Sequence, residues 1–481
     1  MLPPAWEGAD EEAWQRAGCA TCAEREHELE RLRRENERLR RQLTHVEADL
    51  EQAQRAGKRQ AAPFSKGPSA GNGRRPGRRA GAAYGQRARR PIPEQVDREV
   101  EVALPVSCPR CGGALEHERT AEQYQEDLPE VRPVVSRFRV HIGRCQRCGR
   151  RVQARHPEQT SDALGAAAAQ VGPRAVALAV QLNKTVGASM GKTAAIVRQV
   201  SGIALTPGGL SQALARAAKQ ATPTYDALVD AVRESSVVAP DETGWRVGGR
   251  LQWLWAFVGR DVTVYRIQPG RGFQQAAAVL GEQYAGVLER DGWAPYRRFT
   301  SAAHQSCTAH LLRRCHELLQ TARGGARQVP LTVRQLLLDG LALRVQRDAG
   351  QLQPAEVEAA VQDLEHRLDV VFAMHVRHPA NRRLVKHLAR ERHALFTYLR
   401  REGVEATNWR AEQAIRPAVV NRKVWGGNRT ATGAHTQQVL VSVLRTCQQQ
   451  ARDPTPILID LLRSPIPAVA PLRYSSGSAA A

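Results

Sequence analysis

The sequence predicts a multidomain protein whose main folded part is a mixed α/β core carrying a helical insertion. Three observations lead there. A chain of 481 residues exceeds one ordinary core of roughly 100–200 residues. The runs SSVVAPDETGWRV, LQWLWAFVG and VTVYRIQ follow one another over residues 235–268 with short Gly-containing turns, the pattern of an antiparallel meander. A helical run from Phe273 to Gly281 and a fourth strand in GVLERDGW come next, and residues 308–320 and roughly 331–400 then read as helix with few breakers.

Composition sets the outer limits. Apolar residues are 42% of the chain and charged residues 25%, so a core can form and a collagenous or wholly disordered chain is excluded. With 70 Lys+Arg against 48 Asp+Glu the net charge is +22, which favours a polyanionic partner, nucleic acid before acidic membrane. No window approaches the roughly 20 apolar residues of a bilayer span, and the opening MLPPAWEGADEE lacks a secretion signal, so a cytoplasmic location is expected. Six of the nine cysteines fall in three C-x-x-C pairs, which suits metal or redox chemistry better than a secreted disulfide framework.

In residues 1–54, Leu29, Leu32, Asn36, Leu39, Leu43, Val46 and Leu50 keep a heptad, so a coiled coil and a parallel homodimer are expected, with Asn36 fixing register. A single solvated helix is the alternative. Residues 55–92 form a basic linker with eleven Lys or Arg between Arg55 and Arg90, among them Arg74, Arg75, Arg78 and Arg79, and no acid. Such a stretch cannot bury a core; it either neutralises DNA phosphates or serves as a soluble tether. Residues 93–160 are expected to be a small β-rich unit, with VDREVEVALP and VVSRFRVHIG as strands. Residues 161–234 are expected to be helical, with Thr206 capping a helix that opens at Pro207. Three short helices there fit a helix-turn-helix, DNA-binding arrangement or a plain bundle. The GKT at Gly191–Thr193 is not a phosphate loop, because Val186 stands where its first glycine belongs.

Three consecutive strands, a helix and another strand follow the order of an RNase H-like α/β core, whose first and fourth strands are neighbours. Its first part is assigned to 235–322, a helical insertion to 323–404 and its last part to 405–463, with a helix over about 406–420; residues 464–481 read as a disordered tail.

Cys108-Pro-Arg-Cys111 and Cys145-Gln-Arg-Cys148, each followed by glycine, are paired knuckles that suit a structural Zn²⁺ held by four thiolates, with unligated thiols as the alternative. Cys19 and Cys22 form a third pair without a matching partner. Asp241 in VVAPDETGW and Asp291 in RDGWAPY both fall at strand ends and would project together if the two strands are neighbours. Glu412, in ATNWRAEQAIRPAVVNRK, lies on a helix with Asn408 and Arg416 one turn away and supplies a third acid. Three such carboxylates suit two Mg²⁺ (or Mn²⁺) ions about 4 Å apart, the arrangement for in-line phosphoryl displacement. Singly, each acid also fits a turn or a cap. Glu242, adjacent to Asp241 in an extended strand, should face away from it. Trp245, Trp253 and Trp255 are candidates for base stacking, though at least two belong in a meander's core.

The segments VVAPDETGWRVGGRLQWLW, RDGWAPYRRF, CTAHLLRRC from Cys307 to Cys315, and NWRAEQAIRPAVVNRKVWGG resemble, in order and wording, bacterial DDE transposases of the insertion sequence 66 type. The resemblance covers nearly the whole chain, including KRQAAPFSKG, the four knuckle cysteines and RHPEQTSDALG. It implies catalytic, Mg²⁺-holding acids at Asp241, Asp291 and Glu412 and puts the family's cysteine and histidine at Cys307 and His310, as accessory groups. The 120 residues between Asp291 and Glu412 imply an insertion within the core. One departure concerns the last acid: the family's commoner wording has two Asn shortly before it and Arg or Asn after it, where this chain has Asn408-Trp409 and Gln413.

The resemblance implies cleavage and strand transfer on double-stranded DNA, both element ends and target, by a nucleoid-associated enzyme. Arg416, Arg422 and Lys423 would lie near phosphates beside Glu412. Two other classes fit parts of the pattern: a non-catalytic zinc-containing DNA-binding regulator and an RNase H-like nuclease that cuts without joining.

Overall fold

The computed structural model describes residues 27–43, 90–164 and 169–474. These belong to two units, Met1–Gln125 and Glu126–Ala481. In the first unit, residues 27–43 form helix α1. Its heptad residues Leu29, Leu32, Leu39 and Leu43 are exposed along one stripe, and Glu28–Arg31, Glu30–Arg34 and Glu37–Arg41 pair along its surface. Val46, Leu50, Cys19, Cys22 and the linker arginines 74, 75, 78 and 79 lie outside the described residues.

Residues 90–141 contain neither helix nor strand. This differs from the expected strands in VDREVEVALP and in most of VVSRFRVHIG. Their alternation marks a face that needs a covering neighbour, and Val100, Val102, Val134 and Val135 are instead exposed. In the second unit a short antiparallel hairpin, β1 (Ile142–Arg144) and β2 (Arg151–Gln153), carries the second cysteine knuckle at its tip.

Four helices follow: α2 (Pro173–Lys184), α3 (Met190–Ser201), α4 (Pro207–Gln220) and α5 (Thr222–Glu234). Ser189 caps α3 through Lys192 N, and Thr206 caps α4 through Gly209 N as its sequence predicts. These helices share a core with the sheet that comes next: Val180, Leu214, Tyr225 and Leu228 pack in one cluster with Val238, Trp255, Phe257 and Leu288.

The sheet has five strands, β3 (Val237–Val247), β4 (Arg250–Val258), β5 (Thr263–Gln268), β6 (Val287–Arg290) and β7 (Ala303–Ser306), in the order β5-β4-β3-β6-β7. The meander β3-β4-β5 is antiparallel, while β6 and β7 lie parallel to β3. Helix α6 (Phe273–Leu280) connects β5 to β6, and α7 (Thr308–Thr321) leaves β7 after one residue, Cys307. The helices α8 (Gln328–Asp348), α9 (Pro354–Ala373), α10 (Pro379–Glu391) and α11 (Thr397–Arg400) then surround a second core of Val333, Leu336, Val361, Leu364 and Leu384, which reaches the sheet at Val237 and Val287. The chain returns through α12 (Trp409–Trp425), α13 (Ala431–Gln449) and α14 (Pro454–Arg463). Among the described residues no helix is long and apolar enough to cross a membrane.

Helix α12 lies on one face of the meander. Its small residues Ala411, Ala414 and Ala418 let its backbone come close to Ala239, Trp245, Leu254 and Ala256. Trp425, at its end, meets Trp245 edge-on at 5.5 Å, and Trp245 Nε1 donates to Asn428 Oδ1 at 2.7 Å. Asn428 N donates to Arg246 O and Gly248 N to Asn428 O, so the segment after α12 extends the edge of β3. Gly427 makes this approach possible: its φ is +129°, and a side chain there would strike the Arg246 carbonyl. Gly427→Ala is expected to cost roughly 1–3 kcal/mol, read as a lower denaturation midpoint with an unchanged slope.

Residues 464–474, expected to belong to a disordered tail, pack on the core instead. Ala470 and Leu472 are buried, Ala468 N donates to Gln220 O, and Thr224 Oγ1 donates to Ala468 O at 3.0 Å.

Candidate active site

Parallel pairing sets the frame of the site. Val237 lies opposite Val287 and Val238 opposite Leu288, so Asp241 and Asp291, each four residues beyond the first pair, stand at matching heights. Asp291 is just past the end of β6, whereas Asp241 lies within β3, opposite Ala256 of β4, and not at the strand end expected from the sequence, because β3 runs on to pair with β4. Side chains alternate along β3. Ala239 and Trp245 face α12, as does Asp241 by the same alternation, while Val238 and Glu242 face the other side. Glu242 is buried there, held by Arg271 Nε at 2.5 Å and Tyr296 Oη at 2.7 Å. Arg271 is in turn stacked over Trp253 at 4.9 Å and Trp293 at 4.1 Å. Trp245 and Trp255 are fully buried and Trp253 is half-buried, so two of the three meander tryptophans are core residues.

Hydrogen bonds to the residues just before the acids bring the third element in. Cys307 N donates to Arg290 O at 2.8 Å, the carbonyl preceding Asp291. Asn408, at the start of α12, donates its backbone N–H to Cys307 Sγ at 3.3 Å and its side-chain Nδ2 to Pro240 O at 3.0 Å, the carbonyl preceding Asp241. Glu412 follows in the first turn of α12, where a carboxylate also suits the helix dipole. Asp241 and Asp291 are half-buried and Glu412 is exposed, so the three acids border solvent.

Burial and the Glu242 charge push the Asp241 carboxyl up to about 7, against an opposing hydrogen bond from Glu242 N, and the charges of Asp291 and Glu412 add to the rise. A neighbouring cation would oppose this rise in Asp241. Without a cation, the contribution of Asp241 to stability is fully present below about pH 4 and lost as pH rises through about 7. Asp241→Asn is therefore expected to stabilise the Mg²⁺-free protein by about 2–4 kcal/mol at pH 8 and to have little effect at pH 4, as read from melting temperature against pH.

Cys307 and His310 lie beside these acids. His310 Nδ1 is 3.7 Å from Glu412 Oε1. The Cys307 thiol holds the imidazole above its ordinary pKa, against the pull of burial, and the Glu412 and Asp291 charges add to the rise. Burial pushes the Cys307 thiol up, but His310 and the Asn408 amide outweigh it and leave the thiol below its usual value. Cys315, also buried, is pushed up to about 11 by burial, and His316 is hydrogen-bonded to Gln320 instead.

Arg416 is exposed one turn beyond Glu412, and Lys423 is exposed near the end of α12. Arg422 is engaged with β3, donating to Thr243 Oγ1 at 3.1 Å and to Gly244 O.

The two cysteine knuckles share one local geometry. Cys108 N donates to Gly113 O and Gly112 N to Cys108 O, and Cys145 N donates to Arg150 O and Gly149 N to Cys145 O. Gly112 and Gly149 both adopt positive φ, +74° and +68°. Backbone N–H groups of Arg110 and Cys111 lower the Cys108 thiol, and that of Cys148 lowers Cys145, which favours the thiolates that metals bind.

Sequence reasoning missed a buried ionic cluster immediately behind Asp291. Arg290 Nη1 lies 2.7 Å from Glu391 Oε2 with both side chains fully buried, and Arg297 Nε reaches Glu391 Oε1 at 2.8 Å. Ser306 Oγ donates to Glu391 Oε2 at 2.6 Å, and Arg290 Nε donates to His304 Nδ1 at 3.1 Å. The signal was present in GVLERD, where two charged residues stand inside a short strand whose residues are all buried.

Residues 168–436 match the family described as Transposase IS66 family. The "Uncharacterized protein y4qI" of Sinorhizobium fredii (strain NBRC 101917 / NGR234) is 23% identical over 259 residues, 48% of this chain and 48% of that protein, so the chain spans about half the length of this relative. The family match covers more than half of the chain and takes in Asp241, Asp291, the Cys307–His310 helix start and the whole of α12; the chain belongs to the Transposase IS66 family.

Proposed function

We propose that this protein is a DNA transposase that cuts phosphodiester bonds at the ends of an insertion sequence and joins the freed 3′-hydroxyl to target DNA, using Asp241, Asp291 and Glu412. The observation that supports this reading is a meeting of three elements: the β3–β6 register sets Asp241 beside Asp291, and Asn408 ties the start of α12, which carries Glu412, to Pro240 and Cys307, with the Asp291 and Glu412 charges adding to the rise of the Asp241 carboxyl. The adjacency of the first and fourth strands supports an RNase H-like reading of this core.

Two Mg²⁺ or Mn²⁺ ions fit the donor set, since all three residues offer hard carboxylate oxygens whose repulsion a cation offsets. Bound there, such ions supply Lewis acidity and neutralise charge on the reacting phosphate. The chain's own part is placement. Asn408 ties the start of α12 to Pro240 and Cys307, which fixes the Glu412 carboxylate relative to Asp241. Arg416 and Lys423 offer positive charge to DNA phosphates on the same helix, and the basic residues of 55–92, with Arg74, Arg75, Arg78 and Arg79, add attraction that carries no sequence information. The exposed leucine stripe of α1 supports a homodimeric coiled coil. Cys108 and Cys111, and Cys145 and Cys148, are proposed zinc ligands. Action on DNA places the protein with the nucleoid in the cytoplasm.

The test is a Mg²⁺-dependent reaction on a labelled insertion-sequence end with a target duplex. Cleavage followed by joining supports the transposase, cleavage without joining replaces it with a nuclease, and binding without cleavage replaces it with a regulator.

A further inference from the structure

Glu412 also belongs to a second, chemically different donor set. Cys307 Sγ, a ring nitrogen of His310 and a carboxylate oxygen of Glu412 all lie within 4.8 Å of one another. Cys307 is the residue before α7 and His310 lies in its first turn, so one helix start presents thiol and imidazole together, and the first turn of α12 brings the carboxylate to them. His310 Nδ1 is buried without a hydrogen-bond partner, as are Thr308 Oγ1 and Asn408 Oδ1 at the same two helix starts. Buried polar atoms are ordinarily satisfied, so the unbonded imidazole nitrogen, which belongs to the cluster itself, points to a ligand there.

We propose that Cys307, His310 and Glu412 form a site for a thiophilic divalent cation, Zn²⁺ foremost, and that its occupancy withdraws Glu412 from the acidic trio. A sulfur and an imidazole nitrogen select such a cation over Mg²⁺, whereas Asp241 and Asp291 offer only oxygen. Three protein ligands suffice, since a solvent or substrate oxygen can complete a tetrahedral shell. The hydrogen bond from Asn408 N to Cys307 Sγ orients the sulfur from behind, as supporting donors do in metal sites. The binding stands on geometry alone; the competition rests on the transposase reading above.

Zinc content and Co²⁺ spectra of the full-length protein test it. His310→Gln and Cys307→Ser are each expected to bind one Zn²⁺ fewer per chain than wild type at equilibrium. With Co²⁺, Cys307→Ser is expected to lose part of the sulfur-to-metal charge-transfer absorption while the knuckle cysteines keep the rest. His310 is half-exposed, so its variant reports even if serine at the buried position 307 prevents folding. Unchanged zinc content in folded His310→Gln overturns the site. In the Mg²⁺ cleavage reaction, the ratio of rates without and with added Zn²⁺ is expected to fall about 10-fold or more in His310→Gln. An identical ratio in variant and wild type overturns the competition. An additional Zn²⁺ bound by a protein that cuts no DNA supports the site and sinks the transposase reading.

Discussion

Alanine at Asp241, Asp291 or Glu412 is expected to lower DNA cleavage on the order of 10³-fold or more, a loss of ~4 kcal/mol of transition-state stabilisation, with DNA affinity nearly unchanged. The separation follows from what each part of the protein does. Affinity for DNA is expected from many lysines and arginines along the chain, so one missing carboxylate should change it little. In the proposed reaction the phosphate would depend on charge neutralisation at one place, and each acid would hold a share of the cations that supply it. The three variants should be non-additive, because any pair removed together disables the same assembly that one removal already breaks. Cleavage of a labelled DNA end and a gel-shift titration, run on the same preparations, check both halves. Parallel loss of cleavage and binding would assign the acids to folding instead.

Glu391→Ala is expected to destabilise the protein by about 3–5 kcal/mol. The substitution leaves Arg290 charged, fully buried and deprived of its partner, and it also removes the acceptor of Ser306 Oγ and of Arg297 Nε. Burial would raise the Glu391 carboxyl, but the Arg290 charge and the hydrogen bonds from Ser306, Arg290 and Arg297 hold it below the usual carboxylate range. Its stabilisation is therefore fully present above the unfolded-state pKa, about 4.5, and is lost as pH falls through the lower folded value. Denaturant unfolding of Glu391→Ala and wild type at pH 7 and pH 3.5 checks this, with the difference expected to shrink at the lower pH. Because Arg290 directly precedes Asp291 and α10 also brings His387 to 3.3 Å from where a side chain on Gly292 would begin, the same variant should slow cleavage in whatever fraction stays folded.

The meander was legible because its strands carry long β-branched and aromatic runs separated by glycine turns; β3 and β5 fall within the segments read from the sequence, and β4 begins one residue before its own. β7 was not, because Ala-His-Gln-Ser has no strand pattern; it is a strand because β6 offers it a parallel edge and Ser306 is needed at Glu391. The strand-end position of Asp291 was readable from the apolar residues before it, and the turn of Glu242 away from Asp241 from simple alternation; Asp241 was expected at a strand end but lies within β3, because the strand continues through Thr243–Val247 to pair with β4. What Glu242 binds was not readable, since Arg271 and Tyr296 come from separate connections whose meeting depends on the folded sheet. The same holds for Glu391, about a hundred residues from Arg290, which reads as an ordinary polar residue in a highly charged helix. In 96–105 the period-2 pattern was correctly seen but formed no ladder, which shows that alternation specifies a face and not its partner.

Placing α12 so late in the chain has a consequence during synthesis. While the ribosome is still making residues 300–400, the strip formed by Ala239, Trp245, Leu254 and Ala256 has nothing to cover it, because the helix that packs there has not emerged. A nascent chain stalled in that interval carries a bare aromatic surface beside an unfinished edge, the kind of species that chaperones hold and that aggregates when they do not. Premature termination anywhere before residue 409 would leave a fragment with that surface permanently open, so truncated copies of this gene should yield insoluble product and not a partially working enzyme.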